Sequence, residues 1–551
     1  MKKAQRLIIS ILSLILILAL TSCNSKSPFV GSPGDGYAGG EFGIENNDRA
    51  PGTEKPTNEY GEPPSYGTNG DGYKDDMYTE SNIAPDGDVD LSEDTDPQII
   101  ENPFIKVEEM DTSTFSADVD TASYTFLRKM INEGYSLQNL QNIARYNLIR
   151  TEEMVNYFDY SYASAPEGET FGTKATISRT PWNEDTYLLT LGLKAKEIEE
   201  KSANNIVFLI DISGSMASAD KLPLLRQSFS YLVNQLDEND TVSIVTYAAN
   251  ESVVLEATNG NQKDAILNAI YTLKAGGSTN GEAGIQKAYE LAEASFKPDG
   301  NNRIIIASDG DLNVGISDPE ELEKLVEEKR NSGIFLSVLG FGTGNFRDDN
   351  MSAIAQAGNG VYYYIDCVEE AKRIFTDSLL STIYTVAKDV KFQLTFDKNF
   401  VSEYRLIGYE NRLLKAEDFE NDTKDAGEVG SGHTLTVCYE LKLSENADTS
   451  DDVVSDKDTD ESYWMKLSIR YKEPDSDVSE LREAFIGEAD FTSEPDDDFK
   501  LAASIIEFSM LIRNSVYRNP ETTVADIIAS LRELTLDSKG TEFLALLHMI
   551  K

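Results

Sequence analysis

Histidine is almost absent from this sequence, since its 551 residues include only His433 and His548. Serine hydrolysis needs an orienting base, which is usually histidine, and a carboxylate nucleophile needs a nearby acid or base. Both histidines lie outside the α/β region described below, so we interpret them as structural. The sequence therefore gives little support for a hydrolase, and we do not expect an enzyme.

Cysteine is also scarce, with three in the whole chain. Cys23 ends an N-terminal targeting segment, which leaves Cys367 and Cys438. These two could pair in an oxidising compartment, but two cysteines in a sequence say nothing about the geometry that a disulfide requires. Our interpretation is that both are reduced thiols in half-buried positions.

Basic residues are few compared with acidic ones: 49 lysines and arginines stand against 96 aspartates and glutamates, for a net charge of −47. Such a chain repels phosphates, which disfavours nucleic-acid binding. The acidic surface suits an exposed, soluble protein and attracts metal cations, although solubility alone accounts for most of the acids. A hydrophobic content of 40% is enough for two to four packed domains.

Long apolar runs are missing except at the N-terminus, where residues 7–20 follow a basic start. The run is shorter than the roughly 20 residues that a membrane-spanning helix needs, and it matches the apolar region of a signal peptide. The Leu-Thr-Ser-Cys sequence that ends at Cys23 resembles a bacterial lipobox, with an ordinary cleaved signal peptide as the alternative. We therefore expect lipidation of Cys23 and an extracytoplasmic protein, lipid-anchored to the bacterial cell membrane. Each CH₂ group of an acyl chain that is buried in the membrane contributes about 0.8 kcal/mol to the binding free energy of the anchor.

The rest of the chain divides by composition. Residues 24–103 are acidic and rich in glycine, proline and asparagine without apolar periodicity, which predicts a disordered stalk. A flexible chain of this length has a root-mean-square span of about 50 Å. The acidic run 444–461 is predicted to be a loop between two strands. The predicted parts are a signal peptide (1–23), the stalk (24–103), an N-terminal segment of helices and strands (104–200), an α/β domain (204–387) and a β-rich C-terminal region with final helices (388–551).

Strand and helix patterns alternate through the middle of the chain. Parallel strands need helical crossovers, so this alternation predicts a doubly wound α/β fold with a mostly parallel sheet. The predicted strands are 206–210, 242–247, 303–307, 334–341 and 361–365, and the predicted helices are 222–236, 265–273, 284–296, 319–331 and 369–386.

Strand patterns also flank the α/β region on both sides. They occur at 173–179 and 187–193 before it, and at 390–396, 404–409, 434–443 and 463–471 after it. Helical spacing is found at 122–133, 151–158, 498–514 and 523–534. We predict that the two sets of strands pair into one β-sandwich-like region with the α/β domain inserted in its chain.

Three loops at the predicted sheet carry oxygen-bearing side chains. Asp211-x-Ser213-x-Ser215 follows the first strand, Thr279 lies in a glycine-rich loop that enters a helix, and Asp309 follows another buried strand. Open α/β sheets bind ligands at the carboxyl ends of their strands. Hydroxyl and carboxylate oxygens suit Mg²⁺, Mn²⁺ or Ca²⁺ and are poor ligands for zinc. Because few carboxylates touch the ion directly, its charge is not fully neutralised. A vacant coordination position can then accept a carboxylate from another protein.

Other interpretations of these segments have less support. Asp211 alone could cap a turn, but a hard-ion site needs several converging oxygens, which the other two loops supply. The segment 309–320 imitates a calcium loop, yet its sixth position is not glycine and a strand precedes it. Residues 276–279 lack the Gly-Lys-Ser/Thr ending of a phosphate loop. The aspartates at 86–90 could bind calcium weakly, although a solvated linker is the simpler interpretation.

This set of residues resembles the metal-ion-dependent adhesion site of von Willebrand factor A-type (vWA) domains. The resemblance implies that Ser213, Ser215 and Thr279 offer hydroxyls, and that Asp211 and Asp309 act directly or through water. The segments 221–225, 301–303, 362–366 and 404–412 are similar to a bacterial lipoprotein branch of that family, the YfbK-like proteins. That branch has its own N-terminal segment, here 115–162, and C-terminal region, here from 388. It usually has threonine where this chain has Ser308, which keeps a hydroxyl.

The sequence thus predicts a tethered binding protein. Its vWA domain would present Mg²⁺ (or Mn²⁺ or Ca²⁺) to an acidic group of a protein partner. The first alternative is a structural or assembly lipoprotein in which the ion only stabilises the fold. The second alternative, a hydrolase, is disfavoured by the scarcity of histidine.

Overall fold

The computed structural model describes residues 100–146, 148–198, 202–248, 251–277, 282–310, 319–342, 348–378, 384–424, 426–447, 449, 463–474, 476 and 478–551. All of them belong to one compact unit, 82–551. The predicted signal peptide, Cys23 and stalk residues 24–99 lie outside the described residues, as does Thr279. Within the described ranges, no helix combines the length and the apolar character needed to cross a membrane.

A six-stranded sheet forms the middle of the unit, with strand order β10-β9-β8-β5-β6-β7. Its strands are parallel except β7, which pairs antiparallel with β6 at one edge. Every residue of the central strand β5 is buried, as expected where helices cover both faces of a sheet. The strands are β5 (Asn204–Asp211), β6 (Thr241–Tyr247), β7 (Ser252–Asn259), β8 (Asn301–Ser308), β9 (Ile334–Phe341) and β10 (Tyr362–Ile365).

Helices connect these strands, as the alternating pattern predicted. A short 3₁₀ turn, Gly214–Ala217, follows β5 and precedes the first of them. The helices of this region are α4 (Leu222–Gln235), α5 (Lys263–Tyr271), α6 (Glu282–Ala294), α7 (Pro319–Arg330), α8 (Asp348–Ala357) and α9 (Val368–Arg373).

Two antiparallel sheets are built from the flanking sequence, in the orders β1-β12-β15-β4-β3 and β13-β2-β11-β16-β17. Phe396 of β11 stacks on Tyr404 of β12 with ring centroids 3.9 Å apart, so the sheets face each other across a shared core. The strands are β1 (Ile105–Lys106), β2 (Thr112–Ser116), β3 (Phe171–Arg179), β4 (Tyr187–Ala195), β11 (Thr385–Phe396), β12 (Val401–Ile407), β13 (Leu413–Leu414), β15 (Thr434–Leu443), β16 (Tyr463–Lys472) and β17 (Ser479–Gly487), and β14 (Gly427–Gly430) pairs with β11.

The sandwich joins segments from both sides of the α/β region. β4 pairs with β15, and β2 pairs with β11. The prediction that the α/β domain is inserted into a β-sandwich is therefore confirmed. The remaining helices are α1 (Ala122–Asn132), α2 (Leu137–Ala144), α3 (Thr151–Asn156), α10 (Asp497–Ile512), α11 (Val524–Arg532) and α12 (Ser538–Leu547).

The predicted closing helix 369–386 is wrong at its C-terminal end. Helix α9 ends at Arg373 and passes into a π-helical turn, Ile374–Ser378, while Val386 belongs to β11. Pairing of β11 with β2, β14 and β16 decides this conformation. Such long-range pairing overrides a helical spacing of apolar residues that the local sequence also allows.

Several elements were not predicted from the sequence. They are β1, β2, β7, β13, β14, β17, α2, α8 and α12. The side-chain amide of Asn102 donates hydrogen bonds to the carbonyl oxygens of Leu406 (3.1 Å) and Gly408 (2.7 Å). Ordered packing thus reaches into the end of the range 24–103 that was predicted to be a stalk.

The cysteines and tryptophans lie in well-packed surroundings. Cys367 and Cys438 are 7% and 3% exposed, so the prediction of half-buried positions is wrong, and within the described residues neither forms a disulfide. Burial raises the pKa of the Cys438 thiol to about 12. Trp182 and Trp464 are both buried: Trp464 lies in the core that the two antiparallel sheets share, and Trp182 lies in the second core, which includes the terminal helices.

Candidate metal centre

Asp211 is the last residue of β5, at the carboxyl edge of the central sheet. Its side chain is fully buried, and Oδ1 accepts a hydrogen bond of 2.7 Å from the backbone N–H of Ser213. This bond turns the chain sharply after the strand. The carboxylate of Asp211 therefore stays within the loop formed by the residues that follow it.

The two serines of the loop face each other. The Oγ atoms of Ser213 and Ser215 are 2.9 Å apart, with Ser213 buried and Ser215 exposed. The 3₁₀ turn Gly214–Ala217 makes this possible because its tight winding returns Ser215 to the side of Ser213. Two hydroxyl oxygens thus meet at the edge where the sheet would receive a ligand.

The glycine-rich loop approaches the same place. The N–H of Gly276 donates to the carbonyl oxygen of Ile212 (2.8 Å), and the N–H of Gly214 donates to the carbonyl oxygen of Gly277 (3.1 Å). Gly277 has φ +95°, a left-handed conformation that favours glycine. Thr279 follows two residues later, outside the described residues, so its side-chain position stays a prediction.

Asp309 comes directly after β8, which is the parallel neighbour of β5 with Ile210 paired to Ala307. Because the two strands end together, Asp211 and Asp309 share one edge of the sheet. Asp309 is 1% exposed. Its Oδ2 accepts a hydrogen bond from the Lys221 ammonium, whereas Oδ1 has no hydrogen-bond partner in the described part of the chain.

The buried Oδ1 of Asp309 tests whether these residues fit a metal ion. Burying a carboxylate oxygen without a partner is costly, and a divalent cation would remove that cost. The nearby donors are hydroxyls and carboxylates, the oxygen ligands that Mg²⁺, Mn²⁺ and Ca²⁺ prefer. The described members of the predicted set therefore fit a hard divalent cation.

Lys221 is the residue of this site that the sequence reasoning missed. The sequence marks it only as part of the family-like stretch 221–225, and an ammonium group does not bind metal ions. Its contact with Asp309 depends on the approach of the α4 start to the β8 end, which no local pattern reveals.

A second group of acids lies elsewhere in the unit and was also missed. Carboxylate oxygens of Asp118, Asp120 and Glu153 lie within 4.8 Å of one another, and all three residues are buried. Burial raises the pKa of Asp120 well above its usual value, and the charges of Asp118 and Glu153 add to this effect. Such a cluster could hold a cation, although the only sequence signal was an Asp-x-Asp before a helix.

Arginines already supply positive charge to this second group. Arg412 Nε donates to Asp118 Oδ2 at 2.8 Å, and Arg150 pairs with Glu153 at 2.5 Å. Asp120 accepts hydrogen bonds from the Tyr362 N–H and the Ser352 hydroxyl, both at 3.0 Å. The group therefore connects the sandwich to the α/β domain, and its charges are largely balanced by protein groups.

Known protein families match successive parts of this chain. Family models match the chain as "von Willebrand factor" over residues 91–190, "von Willebrand factor type A domain" over 205–377 and "Uncharacterized protein YfbK, C-terminal" over 381–551. "Uncharacterized protein YfbK" of Escherichia coli (strain K12) is 39% identical over 440 residues, which cover 77% of this chain and 74% of that protein. The chain belongs to the YfbK family.

Other relatives of this YfbK-family chain are more distant. Inter-alpha-trypsin inhibitor heavy chain H3 of Mus musculus is 28% identical over 183 residues, covering 32% of this chain and 19% of that protein. A solved structure, "von Willebrand factor type A from Catenulispora acidiphila", covers 71% of this chain and 91% of that chain at 15% identity, with a TM-score of 0.39.

The family match confirms the predicted fold and the YfbK-like vWA assignment. The vWA match spans 205–377 and so contains all five predicted ligands, Asp211, Ser213, Ser215, Thr279 and Asp309. A vWA domain indicates a role in protein interaction or adhesion, and vWA domains often bind a divalent metal ion in a metal-ion-dependent adhesion site.

Proposed function

We propose that this YfbK-family protein is an extracytoplasmic, lipid-anchored binding protein whose vWA domain holds a divalent cation and offers it to an acidic group of a protein partner. The observation that carries the proposal is the buried Oδ1 of Asp309, which lacks a hydrogen-bond partner in the described part of the chain. It lies at the sheet edge that Asp211 and the paired serine hydroxyls also reach.

The residues of the site would provide two kinds of oxygen ligand for the ion. Ser213, Ser215 and Thr279 would supply hydroxyl oxygens, while Asp211 and Asp309 would act directly or through water. When bound, the ion supplies a positive charge at a surface where an anionic group can reach it. Ser215 is exposed, so it lies on the side from which a partner would approach.

The charge of the chain supports dependence on a cation. At a net charge of −47, the protein repels acidic surfaces in general. Salt screens this repulsion beyond about 8 Å at physiological ionic strength, which leaves the short-range field at the site to decide binding. An acidic group would therefore be captured where a local positive centre exists.

The membrane anchor rests on the N-terminal sequence. The lipobox-like ending at Cys23 and the acidic stalk would hold the folded unit away from a membrane surface. Metabolic labelling with a radioactive fatty acid tests this directly. Label in the wild type that disappears in Cys23→Ser supports the anchor, and label that persists in the variant contradicts it.

We also propose that the protein is not an enzyme. His433 precedes β15 in the sandwich, and His548 follows α12. Burial lowers the pKa of His433 to about 4, so it stays neutral at pH 7. His548 contacts Arg532 at 2.7 Å. Neither belongs to the α/β domain, and turnover by the purified protein on hydrolase substrates would refute this part.

Calorimetric titration and peptide capture together test the binding function. The full chain is titrated with Mg²⁺ and then applied to immobilised peptides with a single aspartate or glutamate, in Mg²⁺ and in EDTA. Asp211→Ala should lose Mg²⁺ uptake and capture but stay folded in EDTA, with a metal-free melting temperature lowered only by the loss of the hydrogen bond from the Ser213 N–H. Asp264→Ala, which removes an exposed acid from α5, is the matched control and should behave as the wild type.

The structural alternative makes the opposite prediction. If the ion only stabilises the fold, EDTA should unfold the wild type or lower its melting temperature strongly, without any capture of acidic peptides in Mg²⁺. Absence of Mg²⁺, Mn²⁺ and Ca²⁺ uptake by the wild type would end both models.

A further inference from the structure

A lysine lies inside the candidate metal centre. Lys221 Nζ is 2.8 Å from Asp309 Oδ2, and the two side chains are 9% and 0% exposed. An ammonium group in this place is unexpected next to a cation site, because a metal ion and a lysine are drawn to the same carboxylate. Its presence at a nearly inaccessible position calls for a physical role.

The backbone holds Lys221 firmly just before α4. Its N–H donates to the carbonyl oxygen of Ser218 (3.2 Å), and its own carbonyl oxygen accepts from the N–H of Leu225 (2.9 Å). The neighbouring Asp220 is bound on the other side, by the Lys129 ammonium of α1 at 2.5 Å. The loop at 220–221 is thus fixed from two directions.

The structure also makes room for the lysine side chain. Gly342, which follows β9, has φ +70° and packs against the stem of Lys221. A Cβ at position 342 would lie 2.2 Å from Lys221 Cε and 2.8 Å from Cγ. Any other residue would therefore displace the lysine. The end of β9 is shaped so that the ammonium can reach the end of β8.

We propose that Lys221 is a built-in counter-cation of this site. It balances Asp309 when no metal is bound, and it competes with the divalent ion for that carboxylate. The second half of this proposal rests on the proposed metal-binding function, whereas the first half concerns the metal-free protein alone.

Two consequences follow from the geometry. In the metal-free state, Lys221 supplies the opposite charge without which the buried Asp309 carboxylate would be uncompensated, so we expect the protein to stay folded without the ion. In the loaded state, Asp309 keeps Oδ2 on Lys221 and has Oδ1 left for the ion. Because Asp309 is shared with Lys221, the two carboxylates of the site neutralise less of the ion's charge than they would without the lysine. Lys221 thereby weakens metal affinity and strengthens the attraction for a partner carboxylate.

Removing the charge of Lys221 tests whether this lysine competes with the metal ion for Asp309. The full-length wild type, Lys221→Met and Lys221→Arg are titrated with Mg²⁺ by calorimetry. The Met variant should bind Mg²⁺ on the order of tenfold more tightly or better, because a unit positive charge has been removed from beside a ligand. The Arg variant keeps the charge and should stay close to the wild type. Lys466→Met, which breaks a 2.8 Å ion pair on the sandwich, is the matched control.

A second variant displaces the lysine without removing it. Gly342→Ala should push Lys221 away from Asp309 and raise Mg²⁺ affinity in the same direction as Lys221→Met. Its control is Gly333→Ala, which has a similar φ of +85° but whose Cβ would meet only the Phe296 ring, at 3.4 Å. The two alanines share the backbone strain of a positive φ, but only Gly342→Ala introduces a contact with Lys221.

Unfolding of the metal-free protein distinguishes failure of the Lys221 proposal from failure of the proposed metal binding. In EDTA, Lys221→Met and Asp309→Asn should each lower the melting temperature, and the double variant should recover part of the loss because neither buried charge is then left alone. If the two single variants lower the melting temperature additively in the double variant, Lys221 does not balance Asp309 and the counter-cation proposal is wrong. An unchanged or weaker Mg²⁺ affinity in Lys221→Met would show that Lys221 does not compete with the ion. If the wild type takes up no divalent ion, the proposed function and the competition both fail, and the metal-free cycle alone decides the role of Lys221.

Discussion

Glu440→Gln should strongly destabilise the β-sandwich, because Glu440 joins segments from both sides of the inserted domain. Its Oε2 accepts hydrogen bonds from Arg405 on the neighbouring strand, at 2.6 Å and 3.2 Å. Its Oε1 accepts from the Trp182 indole (3.1 Å) and the Thr186 hydroxyl (2.8 Å), which precede β4. The side chains of Arg405 and Glu440 are 3% and 1% exposed.

The magnitude follows from what glutamine cannot supply. Glutamine has one acceptor oxygen where Glu440 has two, so its NH₂ group must face either Arg405 or the Trp182 and Thr186 donors. Removing one partner of a buried ion pair costs about 3–5 kcal/mol. The ring of Tyr517, 4.0 Å from the Arg405 guanidinium carbon, still offers some compensation. We therefore expect a loss of about 3 kcal/mol.

Tryptophan fluorescence during urea unfolding measures this loss selectively. The chain has two tryptophans: the Trp182 indole donates a hydrogen bond to Glu440 itself, and Trp464 is buried in the core of the sandwich. Glu403→Gln is the matched control because it breaks a 2.7 Å ion pair with Lys442 that is partly exposed. Such a pair contributes less than about 1 kcal/mol. A midpoint shift in Glu440→Gln no larger than that of Glu403→Gln would refute the reasoning.

Three further predictions concern buried groups. Burial and neighbouring carboxylates raise the pKa of Glu152 from 4.5 to about 8, so between these pH values the folded state binds more protons than the unfolded state and the free energy of unfolding should fall as pH rises. In urea titrations, the free energy of unfolding of Glu152→Gln should therefore depend less on pH than that of the wild type, by about a few kcal/mol at most, and equal slopes would contradict this. In a Cys23→Ser background, a thiol reagent should label Cys367 and Cys438 only after unfolding, and rapid labelling of the native protein would contradict their burial. Gly360→Ala should cost about 1–3 kcal/mol or more, because its Cβ would lie 1.8 Å from a carbonyl oxygen of β9; an unchanged melting temperature would be inconsistent with that contact.

The counter-cation and the binding function support each other. The proposed binding site has a metal-free and a metal-loaded state. Lys221 would let Asp309 stay buried in either state. The same arrangement distinguishes the proposed binding protein from the structural alternative, because it predicts a metal-free protein that is folded but unable to capture acidic groups.

Local sequence patterns predicted the central sheet well. The all-apolar run within β5 and the helical spacing of α4 are properties of short segments, so the sequence carries them without knowledge of the fold. The edge strand β7 was missed because its residues are mostly exposed or half-buried and show no continuous apolar run. The end of the closing helix was misplaced because β11 depends on partners far away in the chain.

What the sequence by itself determined is the set of chemically capable residues and the order of the elements that carry them. Asp211, Ser213 and Ser215 lie within five residues at the end of one strand, so their proximity is a local property. The tertiary structure alone decided that Lys221 reaches Asp309, 88 positions away, and that Glu440 meets Trp182 across an inserted domain. These contacts depend on how buried charges find partners when distant elements pack, which no single segment encodes.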